Sequence, residues 1–256
     1  MYKLIYYNNI LIINNISKKY HNQKEEITAI KDLTLEVKDG EFIAIVGPSG
    51  CGKSSLLSIL CGLEKKSNGN IIFPNPHKSK IGYMLQQDSL FPWLTIFENC
   101  LIGLKIEKKL TKENIKKVKD LLKTYGLKDF MNSYPKSLSG GMRQRVALIR
   151  TLAISPDILL LDEPFSALDY QTRLAVSDDV YRIIKKEKKT VIMVTHDLAE
   201  AISMAERIIV LTKRPAEIKK IFKINLTNAK TPIENRKCKE FPIYYQEIWK
   251  EIDHHV

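Results

Sequence analysis

Eight residues, Gly47-Pro-Ser-Gly-Cys-Gly-Lys-Ser54, follow an unbroken apolar run, Phe42-Ile-Ala-Ile-Val46. A continuous apolar run reads as a strand buried on both faces, which belongs inside a mainly parallel sheet. The glycine-rich loop must then turn at once into a helix, expected from Lys53 to about Cys61. Strand, loop and helix in that order open an α/β nucleotide-binding unit. The pattern GxxxxGK[ST] is met without a gap and in the context it requires. Gly47, Gly50 and Gly52 let backbone amides face a phosphate with no side chain in the way, and Pro48, Ser49 and Cys51 complete the loop. The helix N-terminus adds a favourable dipole for an anion. Lys53 is placed to reach the β- and γ-phosphates, Ser54 to coordinate Mg²⁺, and Ser55 to close the same cradle.

The rest of the chain fits around that unit. Ile10–Ile16 and Ile27–Val37 read as strands, the second with Leu33, Leu35 and Val37 on one face of a half-solvated antiparallel sheet. Asp39-Gly40 is a tight turn into Phe42. Further strands are expected at Asn70–Phe73, Ile81–Leu85, Ile158–Leu161, Thr190–Thr195 and Arg207–Leu211. Between Asp88 and Ser155 the pattern turns helical. Thr111–Tyr125 carries Ile115, Val118, Leu121 and Leu122 on one face and stops at Gly126. Arg143–Ile154 is a second helix, stopped by Ser155-Pro156. No internal repeat is seen. The last thirty or so residues carry no motif, though Tyr244–Ile252 suits a short helix.

Two more motifs carry chemistry. In Ile158-Leu-Leu-Leu-Asp-Glu-Pro164 a buried strand delivers Asp162 and Glu163 at its C-terminal end, where ligands bind in such sheets. Asp162 is suited to hold Mg²⁺ through water, and Glu163 to polarise an attacking water. A buried acidic pair can also be purely structural, held by hydrogen bonds. In Leu138-Ser-Gly-Gly-Met-Arg-Gln-Arg145, Ser139 and the amides of Gly140 and Gly141 form a second anion cradle at a helix start. Two cradles far apart in one sequence are most simply explained by two copies meeting head to tail, each closing on the other's nucleotide. This last stretch resembles the ABC ATPase signature motif, LSGGQ, with Met142 in the Gln place.

That resemblance covers roughly residues 8 to 220 and implies the rest of the machinery. The implied fold is α/β: a P-loop NTPase core (RecA-like mixed sheet with helices on both faces), with an antiparallel β edge and an inserted α-helical subdomain. The implied division is an ATPase domain over 1–225, its helical subdomain at about 88–155, and a tail over 226–256. His196 resembles the switch histidine that contacts the γ-phosphate, although a His at a strand end is often only a satisfied polar residue. Ser166-Ala-Leu-Asp169 looks like the D-loop of the dimer interface. Tyr20 stands where the family places an aromatic that stacks on adenine. Gln86 or Gln87 resembles the Q-loop glutamine, and the spacing to Pro92 favours Gln86, which would contact Mg²⁺ and sense the γ-phosphate. Phe91 and Trp93 fit either a core or the surface, near Gln86–Thr95, that receives a membrane subunit. The resemblance implies ATP and Mg²⁺, hydrolysis to ADP and phosphate, and a second copy. It further implies an integral membrane permease and, indirectly, a solute-binding protein. Phe91-Pro-Trp93, Leu211-Thr-Lys-Arg-Pro215 and Glu247-Ile-Trp249 are similar to the nitrate, sulfonate and taurine import branch. Importers of other small solutes, including vitamin precursors, share these features.

Composition weighs the alternatives. The formal net charge of +12 comes from lysines scattered in short runs, such as Lys65-Lys66 and Lys188-Lys189. This reads as a solvated surface rather than a nucleic-acid face, so no nucleic-acid partner is expected. Cys51, Cys61, Cys100 and Cys238 show no metal or redox spacing and suit a reducing compartment. The uncharged stretch Leu4–Ser17 is shorter than the ~20 apolar residues of a spanning helix and lacks a signal-peptide cleavage site. A peripheral place on the cytoplasmic face of the cell membrane follows, reached through the permease. The competing reading is an ABC ATPase acting on DNA or ribosomes. It is disfavoured because only about 85 residues separate Lys53 from Ser139, without the heptads of a coiled-coil insertion. An exporter subunit is the other alternative.

Overall fold

The computed structural model describes residues 8–21, 25–227 and 230–252. Two sheets organise it. Strands β1 (Asn9–His21), β2 (Glu26–Lys38) and β4 (Asn68–Ile72) form an antiparallel sheet in the order β2-β1-β4. The second sheet has the order β5-β6-β7-β3-β8-β9. It comprises β3 (Phe42–Val46), β5 (Ile81–Met84), β6 (Ile158–Asp162), β7 (Thr190–Val194), β8 (Arg207–Leu211) and β9 (Ile218–Lys223). All its pairings are parallel except β8 with β9. The helices are α1 (Lys53–Leu60), α2 (Ile96–Ile106), α3 (Lys112–Thr124), α4 (Gly140–Ala153), α5 (Tyr170–Lys186), α6 (Leu198–Met204), α7 (Pro232–Asn235) and α8 (Phe241–Ile252).

The central strands are apolar throughout because both faces of their sheet are buried. Ile43, Ile45, Ile192, Val194 and Leu160 point into a core shared with α1 and the antiparallel sheet. Phe42, Ala44, Val46, Val191, Met193 and Leu161 point the other way, into a core shared with the remaining helices. The continuous runs read from the sequence thus become two half-sets of side chains with period two. The α/β architecture with its antiparallel sheet is as expected. In β2, Leu33, Leu35 and Val37 are buried and the residues between them exposed.

Some bounds move. The helix expected from Arg143 starts at Gly140, because the Ser139 hydroxyl accepts the Met142 N–H at 3.3 Å and caps it. The tail helix expected from Tyr244 starts at Phe241 and seats Ile248, fully buried, in the main core. Helices α5, α6 and α7 and strand β9 are additions. β9 lies at a sheet edge and carries Lys219, Lys220 and Lys223, charges that protect an edge and blur its apolar alternation. Residues 4–7 of the uncharged N-terminal stretch lie outside the described residues, as do residues 1–3, 22–24, 228–229 and 253–256 of the expected units.

Between Asp88 and Ser155, helices α2, α3 and α4 pack on one another, and α4 also packs on α5 and β5. Two arginines of α4 fix the loop that enters this region. Arg143 pairs with Asp88 at 2.9 Å, and Arg150 donates to the carbonyls of Ser89 and Asp88, each at 2.7 Å. Asn99, fully buried, holds the next loop by donating to the carbonyls of Phe91, Leu94 and Thr95 while accepting the Phe91 N–H at 2.8 Å. That loop presents Trp93 at 70% exposure, so Trp93 is no part of the core; Phe91 is half-buried against it.

Candidate active site

Five neighbouring strands, β5, β6, β7, β3 and β8, run parallel, so their C-terminal ends share one edge of the sheet. Each end contributes one piece of a cleft of about 700 Å³. Gln86 follows β5, Glu163 follows β6, His196 follows β7, the loop Ser49–Ser55 follows β3, and Arg214 follows β8; all line the cleft. Strand order, not sequence order, assembles the site.

The loop is shaped by its glycines. Gly52 has φ +122°, and a Cβ there would meet the Ala29 carbonyl at 3.1 Å. Gly50 also has positive φ, at +69°. Gly47 is wedged against Leu211, whose carbonyl would lie 3.1 Å from an added Cβ. Cys51 is buried with its thiol in the core, so a ligand in the cleft meets at most its backbone. Pro48 contributes its carbonyl: the Lys53 ammonium donates to Gly47 O at 2.8 Å and to Pro48 O at 2.9 Å. Lys53 is thus folded inside its own loop, 7% exposed. At the first turn of α1 the Gly52 cap offers no side-chain acceptor, so the amides there are open to an anion.

Behind the loop, Asp162 is buried at 6% exposure and accepts Ser54 Oγ at 3.1 Å and Tyr83 Oη at 3.0 Å. Burial raises its carboxyl above the ordinary value, while the hydrogen bonds from Tyr83 and Ser54 pull it down. No cation forms an ion pair with it among the described residues. A buried carboxylate beside a hydroxyl and, across the cleft, an amide oxygen is a hard oxygen donor set, and it fits Mg²⁺. The described residues hold no group of three or more His, Cys, Asp or Glu able to bind a metal unaided.

Glu163 sits at φ +44°, a left-handed conformation rare for a side chain of this size. Its Oε2 accepts Gln86 Nε2 at 3.1 Å and lies 3.1 Å from His196 Nδ1. Among the described residues no side chain or amide is bonded to Oε1, which leaves that oxygen for a water. Gln87 instead borders a separate cavity together with Asp88 and Gly140.

Tyr20 lies at the flank of the loop. Its hydroxyl bonds to Ser55 Oγ at 2.9 Å and donates to Glu64 at 2.6 Å, and Lys18 covers one ring face at 4.6 Å. Ser139, Gly140 and Gly141 do not line the cleft; Gly140 faces the other cavity. Arg214 and Tyr83 are the residues that sequence reading missed. Arg214 Nη2 donates to Gly50 O at 2.9 Å across 164 positions of sequence. Its run, Leu211–Pro215, stands out in the sequence, but nothing local aims it at the loop.

Comparison with known proteins places the chain in a family. Residues 30–166 match the family model described as ABC transporter. An uncharacterized ABC transporter ATP-binding protein of Bacillus subtilis, YtlC, is 46% identical over 95% of each chain. The aliphatic sulfonates import ATP-binding protein SsuB of Bacillus thuringiensis subsp. konkukian is 37% identical, over 94% of this chain and 95% of its own. A dimeric solved structure of the ATP-binding cassette MJ0796, in a post-hydrolysis state with ADP and Pi, superimposes with a TM-score of 0.71 at 36% identity. It covers 84% of this chain and 99% of that one.

Proposed function

The chain belongs to the ABC transporter family of ATP-binding proteins, and on that premise we propose that it energises import of a small solute through a membrane permease. As a member of that family it is an ATP-binding, ATP-hydrolysing subunit. The observation that carries the hydrolytic assignment is the convergence of the Gly47–Ser54 loop, Glu163, Gln86 and His196 on one cleft. The import direction is supported by the sulfonate-import relatives. Those names also favour an aliphatic sulfonate; taurine, itself a sulfonate, the inorganic anion nitrate and a vitamin precursor are the other candidates.

The residues divide the work. Loop amides and Lys53 bind the phosphates, Lys53 leaving the carbonyls of Gly47 and Pro48 to do so. Tyr20 offers its uncovered face to the adenine. Ser54, Asp162 and Gln86 would hold Mg²⁺, which when bound neutralises charge on the phosphates. Glu163 takes a proton from water at Oε1 as the water oxygen bonds to the γ-phosphorus and the bond to ADP breaks. Gln86 and His196 orient that carboxylate through Oε2. The signature residues Ser139–Gly141 lie away from this cleft, so a second copy, head to tail, supplies them, in keeping with the dimeric neighbour.

The permease docks near Gln86–Thr95, where the exposed Trp93 is held in place by Asn99. No helix among the described residues is long and apolar enough to cross a membrane; the proposed attachment to the cytoplasmic face runs through that partner. A solute-binding protein acts at one remove.

Two experiments test the reading. Glu163→Gln should bind ATP, form a nucleotide-dependent dimer on gel filtration, and lose about 10²-fold or more in kcat. Purification of the tagged chain from native membranes should bring down a multi-helix permease. Recovery of ribosomal or DNA-associated proteins in its place would overturn the importer reading and leave the ATPase intact.

A further inference from the structure

Strand ends place Glu163 and His196, but each residue sits on a loop, and strands alone do not fix their separation. Arg173, in the first turn of α5, spans the space behind them. Its Nη2 donates to the Leu168 carbonyl at 3.0 Å, and its Nη1 pairs with Asp197 Oδ2 at 3.1 Å. Leu168 ends the turn that Glu163 begins. Within that turn, Ser166 donates to the Glu163 carbonyl through N–H at 3.2 Å and Oγ at 3.1 Å, and Leu168 N–H donates to Phe165 O at 3.1 Å. Asp197 follows His196 directly, and its other oxygen caps α6 through the N–H groups of Ala199 and Glu200. In front, His196 Nδ1 lies 3.1 Å from Glu163 Oε2. The contacts therefore close a ring: Glu163, the turn to Leu168, Arg173, Asp197, His196, and Glu163 again.

The ring rests on a buried base. Glu200, 2% exposed, accepts the Thr195 hydroxyl at 2.8 Å and lies 3.8 Å from Arg173 Nε. Thr195 Oγ1 in turn accepts the Asp197 N–H at 3.0 Å. A guanidinium with its fork split between a carbonyl on one loop and a carboxylate on another is a rigid spacer in a way that a lysine ammonium is not.

We propose that Arg173 is a positioning residue for hydrolysis. It holds the turn carrying Glu163 and the loop carrying His196 at one separation, so that their contact sets the direction of the Glu163 carboxylate. The inference rests on the reading of Glu163 and His196 as the hydrolytic pair. Among the described residues, the hydrogen-bond and ion-pair partners of Arg173 are Leu168, Asp197 and Glu200, none of which lines the nucleotide cleft. Removing it should slow the chemistry and leave ATP binding unchanged.

The test is steady-state ATPase kinetics of the full chain for Arg173→Ala, Arg173→Lys, His196→Ala and the Arg173→Ala/His196→Ala double variant. Arg173→Ala should lower kcat about tenfold or more with KM for ATP within about twofold, and Arg173→Lys should fall between it and the parent. In the His196→Ala background the same substitution should cost little further, because groups acting through one another are non-additive. If Arg173→Ala fails to fold, Asp197→Asn breaks the bridge from the other side while keeping a good helix cap, and it should show the same kcat loss. An unchanged kcat in the Arg173 variants overturns the proposal. So does a loss repeated in full without His196, which would mark a general structural role. A His196→Ala protein with full kcat would overturn the reading of the pair itself.

Discussion

Glu200 offers a test of the buried network by pH alone. Burial pushes its carboxyl from the ordinary 4.5 up to about 7, against the opposing pull of the Thr195 hydrogen bond, with Asp197 raising it and Arg173 and Arg236 lowering it. A carboxyl raised on folding makes its full contribution to stability below the unfolded value and loses it as pH climbs through the folded one. Each pH unit between the two values is worth about 1.4 kcal/mol, so ionising Glu200 in the folded protein costs about 3 kcal/mol. The glutamine of Glu200→Gln is nearly isosteric, keeps an oxygen for Thr195 and cannot ionise. In urea unfolding at a series of pH values, the two proteins should have similar stability near pH 4.5. The variant should gain on the parent through the window from 4.5 to 7, ending about 3 kcal/mol ahead. Other titrating groups cancel in the difference. A difference that stays flat with pH, or one that favours the parent at high pH, would show that Arg173 and Arg236 fully compensate the Glu200 charge, and the reasoning would fail.

Three further outcomes follow from single contacts. Arg214→Ala removes an exposed, charge-assisted bond to Gly50 O and should raise KM for ATP by about three- to tenfold with little change in kcat, measured by steady-state ATPase kinetics. Tyr83→Phe strips Asp162 of one of its two hydrogen-bond donors, so the Asp162 carboxyl rises further and the acid limb of the ATPase pH profile moves to higher pH. Gly52→Ala forces a Cβ into a φ of +122° beside the Ala29 carbonyl and should cost about 2 kcal/mol or more in urea unfolding, with ATP binding lost.

What the sequence made legible was local. The loop Gly47–Ser54, the apolar runs of β3, β6 and β7, and the acidic pair after β6 each carry their signal within a few residues. Periodicity and punctuation are enough to read them. The contacts that tune the site are not local. Tyr83 reaches Asp162 across 79 positions and Arg214 reaches Gly50 across 164. Both depend on the strand order β5-β6-β7-β3-β8, which no short pattern encodes. Arg173 lies only 24 positions from Asp197, yet it is one charge among many on a helix that the pattern did not single out. Helix α5 escaped because its apolar residues share the face with a buried Ser177 and Asp178, which break the stripe.

The helix caps support the proposed seat of the nucleotide at the start of α1 rather than at the starts of α2 to α7. Helices α2 to α7 each begin with a Thr, Ser or Asp side chain bonded to its own first-turn amides: Thr95, Thr111, Ser139, Asp169, Asp197 and Thr231. Those ends are already satisfied. Helix α1 begins at Gly52, which has no side chain to give, so its amides stay open at the mouth of the cleft. Lys53, meanwhile, holds two loop carbonyls that a phosphate would relieve of it. A bound phosphate would therefore do for α1 what a capping hydroxyl does for the others, and would draw Lys53 out of its loop. The signature helix differs: Ser139 caps α4 by accepting Met142 N–H, which leaves its own O–H as a donor for the proposed contact with the nucleotide of a second copy. The start of α1 is thus uncapped by any side chain while α4 carries the Ser139 cap, a difference that supports the proposed seat of the phosphates at α1 within one chain.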